Sequence, residues 1–223
     1  MNKLLKKVDR ALSSRVLNIL DGCVDRRICG RSLVKYVPST DRDDQAGTGG
    51  TGSQSTPYMV LRHIFSHVTL RPEDVFLDVG CGKGRVLAFL VREKCPCPIY
   101  GIEHNPEVGR LAQDWAKRYE QVHVLVGDAL ELDYAPYTVL CLARPFLPKT
   151  FLVFLDRLER TADHPLTLIY WVDQQSGHLL LGRPGWEMRH REILTRLHGV
   201  RVASSPQGYS IWSYDPQKRG DPA

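Results

Sequence analysis

Two hydrophobic periods alternate along the chain. Residues 75–79, 99–102, 122–126, 138–142 and 166–171 are short, nearly continuous apolar runs of the length and β-branched content that buried strands have. Between them, 85–93, 107–119 and 149–161 carry apolar residues three and four positions apart, which predicts crossover helices. Strand and helix in strict alternation predict a mainly parallel sheet covered on both faces: a doubly wound, Rossmann-like α/β fold, with seven strands expected. Upstream, 4–20 sets leucine and valine among basic residues at helical spacing, an amphipathic accessory helix or lid expected to pack on its own domain. A second helix is predicted from Pro57 through Met59, Val60, Ile64 and Phe65, ending by Pro72 and leading into the first strand. After Trp186 the alternation gives way to a basic stretch, 188–198, and then to 208–214, whose last residues alternate as in a strand; a terminal antiparallel pair is expected.

The polar, glycine-rich passage 38–52 cannot bury enough apolar area to hold one conformation unaided and is expected to be a loop ordered by ligand. The predicted organisation is an N-terminal helical and lid region over 1–55, an α/β domain over 56–215 and a fraying tail over 216–223. At 223 residues and 43% hydrophobic, the chain suits one well-filled core. A formal charge of +5 suits anionic partners without selecting one. No apolar run reaches the roughly 18 residues needed to span a bilayer, and no signal core opens the chain, so a cytoplasmic protein without a membrane partner is expected. Several of the six cysteines sit in or beside apolar runs, as free thiols do. The pair Cys95 and Cys97 lacks a second pair at zinc-site spacing and reads as a loop, so no metal is assigned.

Candidate chemistry concentrates at the carboxyl ends of the predicted strands, where ligands bind in such folds. The first strand runs through Asp78 into Gly80-Cys81-Gly82-Lys83-Gly84-Arg85, a turn whose glycines let backbone approach a ligand and whose exposed amides suit a carboxylate. A dinucleotide fingerprint would need glycine where Arg85 stands, which disfavours NAD. The second strand ends in Glu103, followed by His104; a carboxylate there can accept hydrogen bonds from both hydroxyls of a ribose. The third ends in Gly127-Asp128-Ala129, where an acid and a neighbouring amide suit an adenine edge.

In that order the three signals resemble the motifs of class I S-adenosylmethionine-dependent methyltransferases over about residues 56–173, and the run Asp78 to Arg85 is most similar to small bacterial members. The resemblance implies S-adenosyl-L-methionine as cofactor and S-adenosyl-L-homocysteine as product. The cofactor residues it implies are Asp78, Gly80, Cys81, Gly82, Gly84, Glu103, His104, Asp128 and Ala129, with Tyr58 and Gln54 contributing to the lid. Many relatives end the fourth strand in Asn-Pro-Phe; here Arg144-Pro145-Phe146 stands. A guanidinium donates hydrogen bonds and accepts none, so it cannot hold an amine lone pair toward a methyl group and instead suits a carboxylate or phosphate on the acceptor. Arg144, Phe146 and Trp171 are the expected acceptor-side residues, with Phe146 and Trp171 excluding water; Asp173 or His178 is the candidate proton acceptor. A small-molecule acceptor is expected, with protein or RNA as alternatives; the basic stretch 188–201 lacks the interleaved aromatics of an RNA surface. Two other readings keep the fold: a non-catalytic S-adenosylmethionine binder or partner-supporting protein, and an enzyme using S-adenosylmethionine for a non-methylating reaction.

Overall fold

A computed structural model describes residues 3–38 and 52–219, with side chains from residue 12 onward. Most of the expected lid loop, 39–51, lies outside the described residues, as does 220–223. Five strands form the parallel part of one sheet: β1 (Phe76–Val79), β2 (Ile99–Glu103), β3 (Val122–Val126), β4 (Val139–Ala143) and β5 (Leu166–Trp171). Two more strands, β6 (Trp186–Leu194) and β9 (Gln207–Tyr214), complete a seven-stranded sheet in the order β3-β2-β1-β4-β5-β9-β6. The last strand enters between β5 and β6, antiparallel to both. The expected terminal pair is thus β6 and β9, and a separate small hairpin joins β7 (Arg196–Leu197) to β8 (Val200–Arg201).

Alternation along each strand divides the core. Phe76, Ile99, Val139, Ile169 and Ile211 face one side, packed under α1 (Lys3–Cys29), α2 (Tyr58–Phe65), α3 (Arg85–Arg92) and the end of α4 (Pro106–Ala116). Leu77, Val79, Leu140, Leu142, Leu168 and Tyr170 face the other, under α5 (Pro148–Thr161) and the loop aromatics Tyr134 and Tyr137. Helix α4 starts cleanly because Asn105 Oδ1 accepts the amides of Glu107 and Val108 at 3.0 and 3.2 Å, and Pro106 occupies its first turn.

Helix α1 does pack on its own domain, but with only part of its apolar surface. Leu17, Ile28 and Cys29 are buried, whereas Leu12, Val16, Ile19 and Leu20 are exposed. Residues 216–219, expected to fray, form a 3-10 turn held by Arg219, which donates to the Glu159 carbonyl at 2.9 Å and pairs with its carboxylate at 3.3 Å. No described helix is long and apolar enough to cross a membrane.

Candidate functional site

Strand β1 has β2 on one side and β4 on the other, so the sheet order reverses at its carboxyl end, and a crevice opens there. The cleft is open at its mouth and lined by residues from the ends of β1, β2 and β4 and from the loop after β3. Its floor is the turn after β1. Gly80 has φ +74°, and a Cβ on it would sit 2.6 Å from Pro145 Cβ, so only glycine lets the β1 and β4 ends approach this closely. Gly84 caps α3 at φ +86°, where a Cβ would meet the Trp115 ring at 2.8 Å; it supports the turn from behind and does not line the cleft.

Three acids from successive strand ends converge on this cleft. Asp78 is 2% exposed, and burial, followed by the nearby charge of Glu103, pushes its carboxyl up to about 8. Glu103 is fixed in place: the Gly82 N–H donates to its Oε2 at 2.8 Å and the Asn105 N–H to its Oε1 at 2.9 Å. The β1 turn therefore sets the orientation of the carboxylate that ends β2. Asp128 lies opposite, its Oδ1 accepting the Leu130 amide at 2.8 Å, while Tyr134 donates to the Ala129 carbonyl at 2.6 Å and holds that segment. Cys81, His104 and Ala129 line the same cleft, and Gln54 with Ser53 and Thr56 closes one side.

On the β4 side, Arg144 and Phe146 line the cleft. Arg144 has φ +52°, a left-handed backbone that a non-glycine residue adopts at a cost of about 1–3 kcal/mol and that occurs most at functional sites. Phe146 packs against Phe154 in a tilted ring pair, with centroids 5.2 Å apart.

Besides Gly84, four further sequence candidates lie elsewhere. Tyr58 turns away from the cleft: it is 4% exposed and its hydroxyl donates to Asp25 Oδ1 at 3.0 Å. Trp171 packs into the core beneath α1 to α3, because it shares a strand face with Ile169. Asp173 is held by Arg191, whose Nε and Nη2 donate to its two carboxylate oxygens at 2.9 and 3.3 Å, and its carboxylate fills the space a Cβ on Gly208 would need. The Asp173 carboxylate thereby joins the end of β5 to β6 and β9. His178 is exposed on a 3-10 turn and does not line the cleft.

The turn also holds two residues whose role the sequence did not suggest. Lys83 donates to the Lys35 carbonyl. Arg85, 4% exposed, donates to Asp25 Oδ1 and Oδ2 at 3.2 and 2.6 Å and to Asp21 Oδ2 at 3.2 Å, clamping α1 to the start of α3. Burial pushes the Asp21 carboxyl up to about 6 against the pull of Arg85. The available signal was Asp21 and Asp25 four apart in a predominantly basic helix, which places both on one face.

Residues 76–150, from β1 through the start of α5, match the family model for a methyltransferase domain. That match spans about a third of the chain. Its curated relatives include the ribosomal protein L11 methyltransferase of Paraburkholderia phytofirmans, 33% identical over 78 residues, which is 35% of this chain and 25% of that protein. The H3 lysine-79 specific histone-lysine N-methyltransferase of Dictyostelium discoideum is 31% identical over 68 residues, 30% of this chain and 4% of that one. The chain thus spans a quarter or less of the length of these relatives. Among solved structures, an RNA methyltransferase from Salinibacter ruber in complex with S-adenosyl-L-homocysteine superposes with a TM-score of 0.54 at 19% identity, covering 75% of this chain and 96% of that one. TrmN from Thermus thermophilus gives 0.54 at 16% identity over 71% of this chain and 49% of that one. At such identities these likenesses show the fold alone: a Rossmann-like, mostly parallel sheet.

Proposed function

We propose that this protein is an S-adenosylmethionine-dependent methyltransferase of the small bacterial type, acting on a small acceptor that carries a carboxylate or phosphate. The observation that carries the cofactor assignment is the Glu103 carboxylate, held by the amides of Gly82 and Asn105 between Asp78 and Asp128 at one cleft. The residues present fit the cofactor. Glu103 receives the ribose hydroxyls, Asp128 and the Ala129 backbone receive the adenine edge, and the glycine turn admits the amino-acid end. Asp78, buried and reluctant to ionise alone, gains its charge beside a cationic ligand.

When bound, S-adenosylmethionine would supply an activated methyl group whose transfer to an acceptor nucleophile breaks the carbon–sulfur bond, that bond's electron pair staying on sulfur in S-adenosyl-L-homocysteine. The chain's own contribution is positioning, which for well-aligned reactants is worth about 7–11 kcal/mol of barrier. Phe146 gives the acceptor an apolar wall, and Arg144 beside it offers a donor-only cation to an anionic acceptor group. Neither Asp173 nor His178 lines the cleft, so the acceptor proton passes to solvent or to the acceptor's own anionic group.

Calorimetric titration with S-adenosylmethionine and with S-adenosylhomocysteine tests the assignment. Saturable binding is expected, weakened about 10- to 150-fold in Glu103→Ala, the equivalent of about 1.5–3 kcal/mol for charged hydrogen bonds. Unchanged affinity in a folded Glu103→Ala protein would refute the site. Turnover with anionic acceptors separates an enzyme from a purely binding protein, and methylthioadenosine among the products would mark a non-methylating reaction.

A further inference from the structure

A second cluster of ligating side chains lies away from the cleft, where the end of α2 meets the outer strands of the sheet. His63 projects from α2 and His67 follows four residues later, just past the helix end. Glu192 and His190 come from β6, and Tyr209 from β9. One donor atom from each of His63, His67 and Glu192 lies within 4.8 Å of the other two. His63 Nε2 is 2.8 Å from Glu192 Oε2, and the Tyr209 hydroxyl donates to that same oxygen at 2.9 Å. His190 stacks on His67 with centroids 4.1 Å apart, and its Nε2 is 3.8 Å from Glu192 Oε2. The register of β6 against β9 shifts between Met188 and His190, a bulge of the kind that re-aims side chains at sites.

We propose that His63, His67 and Glu192 form a binding site for a divalent transition metal of the zinc class, with the fourth position open to water. Two imidazoles and one carboxylate are a recurrent zinc donor set with an open coordination position. In tetrahedral geometry with bonds of about 2.0–2.1 Å, donors stand roughly 3.3 Å apart, and the three donor atoms here lie within 4.8 Å of one another.

Two features favour a metal over a simple His–Glu ion pair. The pair needs only His63, yet His67 is brought to the same carboxylate. Tyr209 already orients the carboxylate, as outer hydrogen-bond partners of metal ligands do. A bound ion would tie α2 to β6, and α2 follows directly on Ser53 to Thr56 of the cleft wall. The sequence considered only Cys95 and Cys97 for a metal, whose Sγ atoms are 3.3 Å apart at the far end of α3.

The test uses tag-free, chelator-treated full-length protein, titrated with Zn²⁺ by calorimetry and with Co²⁺ by absorption. One equivalent per chain is expected, with tetrahedral Co²⁺ bands, no thiolate charge-transfer band and a raised melting temperature. His67 is exposed, so His67→Ala should fold as wild type does while losing more than about 100-fold in Zn²⁺ affinity, beyond the 10- to 100-fold typical of an outer partner. Glu192→Gln should weaken binding in the same direction. Absence of saturable binding would overturn the proposal. So would binding that survives His67→Ala and Glu192→Gln and shows thiolate charge transfer, which would place the metal on Cys95 and Cys97.

Discussion

Replacing Arg85 with methionine removes the guanidinium at the junction of α1 and the β1 turn and leaves two acids without their cation. Arg85, Asp25 and Asp21 have side-chain exposures of 4%, 0% and 6%, so solvent screens the interaction little. Breaking a buried ion pair by removing one partner costs about 3–5 kcal/mol, because the remaining charge stays desolvated. Some of this is recovered here, since Asp25 keeps the Leu33 amide at 2.7 Å and the Tyr58 hydroxyl at 3.0 Å, and Asp21, already raised to about 6, can take up a proton. We therefore expect about 3 kcal/mol at pH 7, a fall in melting temperature of roughly 6–12 °C for a domain of this size. Chemical denaturation of wild type, Arg85→Met, Asp25→Asn and the double variant measures the coupling directly, and about 2–3 kcal/mol is expected. A single-variant loss under about 1 kcal/mol together with coupling near zero would show that the clamp holds nothing.

Three further outcomes follow from the same geometry. Asp78 is raised from 3.8 to about 8 in the folded protein, so the native state holds a proton that the unfolded chain releases; stability of the ligand-free protein should fall as pH rises from about 4 to about 8. Asp78→Asn should flatten that slope in melting curves taken across this window, and S-adenosylmethionine affinity of the wild type should rise with pH toward 8 as Asp78 ionises beside the cation. Gly84→Ala forces a Cβ to within 2.8 Å of Trp115 at φ +86°, and differential scanning calorimetry should show a loss of about 1–3 kcal/mol, or roughly 3–10 °C. Asp173→Asn should destabilise by about 1–2 kcal/mol in urea while leaving cofactor affinity within about twofold, since its partner is Arg191 and it does not line the cleft; a selective loss of affinity would restore it to the site.

The sequence exposed the fold where local pattern and burial coincide. Each central strand is covered on both faces, so it is largely apolar, with Asp78 the exception in β1, and the β1 run read as 75–79 occupies Phe76–Val79. Strand β6, expected only as part of a terminal pair, was less legible because it is an edge strand with polar side chains: most of its residues are at least partly exposed, and Arg189, His190, Arg191 and Glu192 read as a solvated basic stretch. Cofactor candidates were legible for a similar reason, since a glycine turn and an acid at the next strand end are fixed by neighbours in sequence. Side-chain direction was not. Tyr170 and Trp171 are adjacent, yet the pleat sends them to opposite faces, and a one-residue difference decides whether an aromatic ring faces α5 or α3. Least legible were contacts made across long separations: Arg85 meets acids 60 and 64 residues away, and His63 meets a carboxylate 129 residues away. No periodicity reports such pairs, because each partner taken alone satisfies the pattern of an ordinary surface helix or edge strand. The buried pair Asp21 and Asp25 is the exception: two acids on one helical face, buried in a chain of net positive charge, require a cation brought by the fold, and the β1 turn supplies it.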